Sequence, residues 1–233
     1  MYMKLGLFAD PHYADIEAIG NRRPFLSLGR LKKALRCFEA EGVELIVCLG
    51  DLINAVAGDD FRNAANLKTI TDPIRNCGIP FVFVPGNHDT EAFTPKEFRE
   101  LLPWAEIAST VLEYGGVKLL FVDACYYTDG RAYIKGTNDW TNTMLPPEQL
   151  DILRNSGGDC IIFIHQNLDH DPGNPHMVRN NAEIRGLLEA SGRVKRVYQG
   201  HRHGGGYCIQ GGIEYITLPA MCEGDDRELI ISV

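Results

Sequence analysis

Short apolar runs, many rich in β-branched residues, recur along the chain, each bounded by glycine, proline or aspartate. They are Lys4–Ala9, Leu45–Leu49, Phe81–Val84, Val117–Asp123, Cys160–Ile164, Val194–Gln199, Ile213–Thr217 and Glu228–Val233. Each has the length of a strand and is apolar enough to be buried on both faces. Helical patterns separate the early runs. Leu28–Glu41 puts apolar residues at 28, 31, 35 and 38 with charges between them, and stops at Gly42. Phe61–Cys77, closed by Gly78, is a second helix candidate; Pro95–Leu102 and Pro146–Asn155 are two more, each with proline at or near its start. The first half therefore alternates strand and helix, an α/β arrangement. After Thr110 strands outnumber helices, with hairpin-like joints at Tyr114-Gly115-Gly116-Val117 and Gln210-Gly211-Gly212-Ile213. With no long linker, repeat or low-complexity tract, residues 1–233 read as one domain of mixed α/β topology.

Composition narrows the class. At 45% hydrophobic and 23% charged, the chain is neither disordered nor fibrous. Its 233 residues suffice for one sizeable core or two small ones. The 23 basic and 31 acidic side chains give a net charge of −8, which makes the chain a poor general nucleic-acid binder. A local positive feature, such as a metal, would still hold a small phosphate compound. No segment approaches the ~18 apolar residues of a membrane span. The apolar start is cut short by Asp10-Pro11-His12 before a signal sequence can form, so a cytoplasmic location with no membrane partner is the expectation. The seven cysteines (37, 48, 77, 125, 160, 208, 222) are odd in number and scattered without a C-x-x-C, which reads as reduced thiols.

The chemistry-bearing residues gather where strands end. Asp10-x-His12 follows the first run, Gly50-Asp51 the second and Gly86-Asn87-His88-Asp89 the third. His165 follows Cys160–Ile164, and Gly200-His201-Arg202-His203 follows Val194–Gln199. Of seven histidines, five (12, 88, 165, 201, 203) lie in these segments. Ligands of open α/β sheets bind at the carboxyl ends of strands, so the five segments are expected to converge. Imidazole nitrogens, carboxylates and one carboxamide suit a pair of Mn, Fe or Zn ions. The absence of cysteine from these segments argues against a soft thiolate site. Two divalent ions carry +4 against −2 from Asp10 and Asp51, leaving about +2, a phosphate trap inside an acidic protein.

In order and spacing these five blocks resemble the calcineurin-like metallophosphoesterases, across nearly the whole chain (residues 10 to 203). The resemblance implies a four-layer α/β/β/α sandwich with a dinuclear metal site. It implies that Asp10, His12 and His203 hold one ion, that Asn87, His165 and His201 hold the other, and that Asp51 bridges them. It also implies that His88 is the general acid, with Asp89 orienting its other ring nitrogen. A water between two metal ions loses a proton near neutrality, and the ions offset phosphoryl charge as it grows, so hydrolysis would proceed by in-line attack opposite a leaving oxygen that His88 protonates. The fourth block departs slightly from the family pattern. Gln166-Asn167 stands where many members carry a second His or a Pro, which is expected to alter substrate contacts more than metal binding.

Finer features resemble the manganese-dependent ADP-ribose/CDP-alcohol diphosphatases. They are Tyr13-Ala14-Asp15 after the first block, Arg22-Arg23 ahead of the first helix, and Gly205-Gly206-Tyr207 after the last. That branch implies a small nucleotide conjugate as substrate, with Arg22 or Arg23 binding a second phosphate beyond the metals. Tyr13 and Tyr207 suit either base stacking or packing. The alternatives on the same metals are a cyclic nucleotide phosphodiesterase or a phosphomonoesterase. A non-catalytic scaffold is a further alternative, although it should have lost ligands and none is lost. The polar loop 167–176, with His170, Pro172, Pro175 and His176, reads as solvated, a lid over substrate being the alternative. Signatures of P-loop, nucleophile-elbow and Rossmann chemistry are missing.

Overall fold

The computed structural model describes residues 2–137, 139–171 and 173–233; Pro172 of the polar loop lies outside the described residues. Two sheets pack face to face. The first has the order β11-β1-β2-β3-β4, formed by β1 (Lys4–Phe8), β2 (Leu45–Cys48), β3 (Phe81–Phe83), β4 (Glu106–Ile107) and β11 (Leu229–Ser232). Its strands run parallel except for β11, which pairs antiparallel with β1. The second has the order β5-β6-β7-β8-β10-β9, from β5 (Thr110–Tyr114), β6 (Val117–Val122), β7 (Asp159–Ile164), β8 (Val194–Gln199), β9 (Gly206–Gln210) and β10 (Ile213–Thr217). Here β6, β7, β8 and β10 are parallel, with antiparallel β5 and β9 at the edges.

Three apolar layers make the four-layer sandwich. Helices α1 (Ser27–Glu41) and α2 (Asp60–Cys77) bury Leu31, Phe38, Leu67 and Ile70 against Ile46 and Phe83 of the first sheet. Leu5, Leu7 and Val47 face Phe121, Phe163 and Tyr198 between the sheets, where the Phe121 and Phe163 rings stack at 4.9 Å. Helices α5 (Pro147–Asn155) and α6 (Asn181–Ser191) close the far side with Leu150, Leu153, Ile184 and Leu188 over Ile162 and Val197. Along β7 the alternation Ile161/Ile162/Phe163/Ile164 feeds both neighbouring layers in turn, so the run has no polar face.

The two glycine pairs make the expected hairpins. Gly115-Gly116 and Gly211-Gly212 all have positive φ (58° and 84°; 56° and 77°) and join Tyr114 to Val117 and Gln210 to Ile213. That is the two-residue turn whose twist matches paired strands. Helices α3 (Asn87–Ala92) and α6 were not expected from the pattern. α3 has six residues and is built from polar ones. α6 buries only Asn181, Ile184 and Leu188, and carries Gly186 in its interior, which weakens a helical signal. The short β4 and the half-exposed edge strands β5 and β9 lack the two-sided apolar runs of the central strands.

Candidate metal centre

The carboxyl ends of β1, β2, β3, β7 and β8 meet along one rim of the sandwich, and all seven expected ligands meet there. Asp10, His12, Asp51, Asn87, His165 and His201 are buried, and His203 is partly exposed. Asp10, His12, Asp51 and His201 hold left-handed backbone conformations, with φ of 53°, 44°, 53° and 67°. Non-glycine residues adopt that region only where the surroundings enforce it, and a cluster of such strain marks a functional site. Two glycines make room for the approach. A Cβ on Gly86 would overlap Asp51 Oδ1, and one on Gly50, itself at φ +93°, would overlap the His165 ring.

Within the cluster, His12 Nε2 lies 3.0 Å from His203 Nε2, 3.3 Å from Asp51 Oδ2 and 3.8 Å from Asp10 Oδ1. On the other side, His165 Nε2 lies 3.5 Å from the same Asp51 Oδ2 and 3.3 Å from Asn87 Oδ1. The ligand atoms of Asp51, His165 and His201 all fall within 4.8 Å of one another. Asp51 thus stands between two half-sites. The backbone N–H groups of His88 and His201 donate to the Asp51 and Asp10 carboxylates, at 2.9 Å and 3.1 Å, and fix their orientation. His201 Nε2 is buried with no hydrogen-bond partner. An orphaned imidazole nitrogen aimed into a cluster of carboxylates is what a divalent cation would satisfy, so the donor set fits a metal pair.

The electrostatics agree. Burial pushes the His12 and His201 imidazoles well below their ordinary range, leaving them neutral with a lone pair free to ligate. Burial acts to raise Asp51, but His165 and His12 outweigh it and hold the carboxyl well below the usual range. Burial likewise opposes a charge on His165, yet Asp51 draws that imidazole up to about 9. A divalent ion would replace that proton as countercharge.

Four expectations need correcting. Asp89 does not orient His88. Its carboxylate accepts from the N–H groups of Gly86 (2.9 Å) and Ile53 (3.3 Å), closing the start of α3. Burial and the neighbouring Asp51 also push its pKa well up. The carboxylate beside His88 Nδ1 is Glu91 Oε2, at 3.3 Å and one helical turn on. Arg23 turns out of the cleft to donate to the Gly20 and Arg22 carbonyls, whereas Arg22 enters it: Nη1 donates to Asn54 Oδ1 at 2.8 Å and lies 3.3 Å from His12 Nδ1 and 3.4 Å from His88 Nε2. Tyr13 is buried in the α1/α2 core and is no stacking platform. Gln166 and Asn167 are fully buried behind the site, where Asn167 Nδ2 donates to the Gly200 carbonyl, so they brace the rim and do not touch its cavity.

The cavity over the cluster has a volume of about 410 Å³. Arg22 and His88 line one flank, Trp140, His176 and Arg202 the other. Trp140 and His176 stack at 4.9 Å, and Arg202 donates to Asp171 at 2.7 Å. Burial and the nearby His203 hold His176 down to about 4, so it is neutral. The loop 167–176 therefore sends His176 to the cleft wall while His170 stays exposed. Trp140 had no periodic signal in the sequence. Cys222, despite its distance from the five blocks, brings its thiol within 4.8 Å of the His12 and His203 ligand atoms; burial raises it, so it keeps its proton. A groove of about 440 Å³ between α2 and α4 (Pro95–Leu101) is lined largely by apolar side chains such as Leu67 and Trp104 and lies away from the ligand cluster.

A family model of the calcineurin-like phosphoesterases matches residues 3–205. The chain belongs to the calcineurin-like phosphoesterases. As a member of that family it is a hydrolase, a metallophosphoesterase of the kind that works with a dinuclear divalent metal site. A probable cyclic nucleotide phosphodiesterase from Fibrobacter succinogenes is 24% identical, over 86% of this chain and 73% of the relative. Among solved structures, a dimetal phosphatase from Danio rerio superposes with a TM-score of 0.75 at 22% identity, covering 95% of this chain and 88% of its own. The phosphopantetheinyl hydrolase of Mycobacterium tuberculosis superposes at 0.59 and 12% identity, covering 95% and 91%. Both structural likenesses speak to the fold. No helix among the described residues is long and apolar enough to cross a membrane.

One neighbour of the site yields a stability prediction. Asp123, at the end of β6, accepts from Cys125 N–H at 2.8 Å, and burial lifts its carboxyl to about 6. A folded-state value above the unfolded one gives stability that is present below ~4 and lost as pH rises through about 6. Asp123→Asn, which keeps the acceptor, is expected to gain on the order of 1–2 kcal/mol over wild type at pH 8 and nothing at pH 3.5. Denaturant melts at the two pH values check this.

Proposed function

We propose that this metallophosphoesterase hydrolyses the phosphoanhydride of a small nucleotide conjugate of the ADP-ribose or CDP-alcohol type. Asp10, His12 and His203 hold one metal ion in this reading, Asn87, His165 and His201 hold the other, and Asp51 serves both. When bound, such a pair, Mn or Fe with Zn as a third option, supplies an activated water and offsets charge on the phosphoryl oxygens. The chain's own residues do the rest. The Asp51 and Asp10 carboxylates are held by the His88 and His201 amides, so the cluster does not reorganise as charge develops. His88, with Glu91 beside Nδ1, presents Nε2 to the cleft 3.4 Å from Arg22 Nη1, where it would serve the leaving oxygen.

The observation that carries the diphosphate reading is Arg22. Its guanidinium reaches the cleft within 3.4 Å of His88 Nε2, on the flank where a leaving group carrying a second phosphate would lie. The cyclic nucleotide reading is favoured by a different observation, the name of the Fibrobacter succinogenes relative. The two separate in one assay of the Mn²⁺-loaded protein against ADP-ribose, CDP-choline, cyclic AMP and a simple phosphomonoester. Turnover of both diphosphates well above the others is expected. Arg22→Ala should raise KM for them roughly tenfold or more, the loss of one charge-assisted hydrogen-bonding group. Far better turnover of the cyclic nucleotide or the monoester would overturn the substrate class.

A further inference from the structure

The two half-sites are not equivalent behind their ligands. His165 Nδ1 donates to the main-chain carbonyl of Leu49 at 2.7 Å. His203 Nδ1 instead meets a carboxylate, Glu223 Oε1, at 2.6 Å. This leaves His203 Nε2 facing inward, 3.0 Å from His12 Nε2 and 3.9 Å from Asp10 Oδ1. Glu223 closes the single 3-10 turn Met221–Glu223, and that turn is fastened to the ligand loop itself: the N–H groups of Met221 and Cys222 donate to the carbonyls of Ala9 and Asp10, at 2.9 Å and 3.1 Å. Ala220 N–H donates to the carbonyl of His203 at 3.0 Å. Arg30 Nη1, from α1, holds the turn from outside through the Cys222 carbonyl at 2.8 Å. A glutamate on so constrained a turn has a fixed position relative to the ring it meets.

From this geometry we infer that Glu223 is a positioning residue for the His203 half-site: it fixes the His203 tautomer and ring orientation and makes that half-site the tighter of the two. This rests on the metal-ligand reading above, and not on the substrate class. A carboxylate on the far nitrogen holds the proton at Nδ1, leaves the Nε2 lone pair free, and makes the imidazole a more basic ligand than a carbonyl partner does. Glu223 also adds a second negative charge, beside that of Asp10, on the His12/His203 side of the cleft, while Asp51 lies between the half-sites.

The test uses the full-length protein saturated with Mn²⁺ and dialysed against a graded series of chelator-buffered Mn²⁺. Retained metal is measured by elemental analysis, and coupling of the pair by electron paramagnetic resonance. Wild type is expected to retain two ions with a spin-coupled spectrum. Glu223→Ala should weaken one ion tenfold to a hundredfold, so that at intermediate Mn²⁺ one ion per chain remains with an uncoupled signal. Glu223→Gln, whose amide oxygen accepts the same Nδ1–H, should recover part of that loss. His203→Ala should lose the same ion, and the double variant should be no worse than His203→Ala alone. Two ions retained as tightly in Glu223→Ala as in wild type, equal weakening of both ions, or no recovery in Glu223→Gln would each overturn the assignment. If Glu223→Ala fails to fold, Glu223→Gln against His203→Ala decides it by the same measurements. Wild type that retains no Mn²⁺ would overturn the metal-ligand reading and this inference together, whereas failure of every diphosphate substrate would leave it standing.

Discussion

Asp51→Ala is expected to abolish metal pairing and to lower phosphoester hydrolysis by roughly a thousandfold or more, a loss of several kcal/mol of charge stabilisation in the transition state. Asp51 sits between the half-sites, with Oδ2 at 3.3 Å from His12 Nε2 and 3.5 Å from His165 Nε2, while Oδ1 accepts from the His88 amide. Without it, His12, His165 and His201 converge with no shared anion, and the remaining carboxylate, Asp10, is on one side only. Asp51→Asn is the sharper control. It keeps the size and an oxygen for the His88 amide and loses only the charge, so it should fold like wild type and still fail to hold two ions. Elemental analysis alongside activity reads both effects. A variant that keeps two ions and most of its activity would remove Asp51 from the centre of the site.

His88→Ala is expected to have the opposite signature: both metal ions retained, turnover slowed about a hundredfold or more, the usual worth of general acid catalysis. The His88 ring stands edge-on to His12 at 4.8 Å, with Nδ1 toward Glu91 and Nε2 toward Arg22 in the cleft. Its ligand atoms also come within 4.8 Å of those of His12 and Asp51, so geometry alone leaves a ligand role open and metal content is the deciding measurement. The loss should be largest for substrates with a poor leaving group and small for a p-nitrophenyl ester, which departs without a proton. Loss of metal from His88→Ala would make it a ligand and not an acid.

How much of this was legible beforehand divides along one physical line. The central strands β1, β2, β6, β7 and β8 were readable because most of each is buried on both faces, which keeps those stretches apolar, with charged residues such as Lys4, Lys118, Asp159, Lys195 and Arg196 confined to the first positions of their strands. The seven residues proposed as ligands were readable as candidates because metal binding demands particular atoms, and the strand that carries each one dictates its place in the sequence. Edge strands and α6 were harder, since a half-exposed element tolerates many residue types. The orienting groups were harder still. Asp89 follows His88 directly in sequence, yet successive residues on a helix point about 100° apart, so α3 turns Asp89 inward to its own amides and brings Glu91 alongside His88. Arg22 and Arg23 are adjacent and alike in composition, and only the path of the chain into the Pro24–Leu26 turn sends one into the cleft and the other to its own backbone.

The sequence by itself determined the α/β class, the order of the central strands along the chain and which residues stand as candidate ligands, because burial and coordination chemistry restrict residue type position by position. Tertiary structure alone decided which carboxylate faces which imidazole, which arginine enters the cleft, and that Trp140, Cys222 and Glu223 belong to the site. Those are contacts between segments as far apart as residues 12 and 203 or on a turn near residue 222, and no local pattern records them. Their geometry is set by how the sandwich closes.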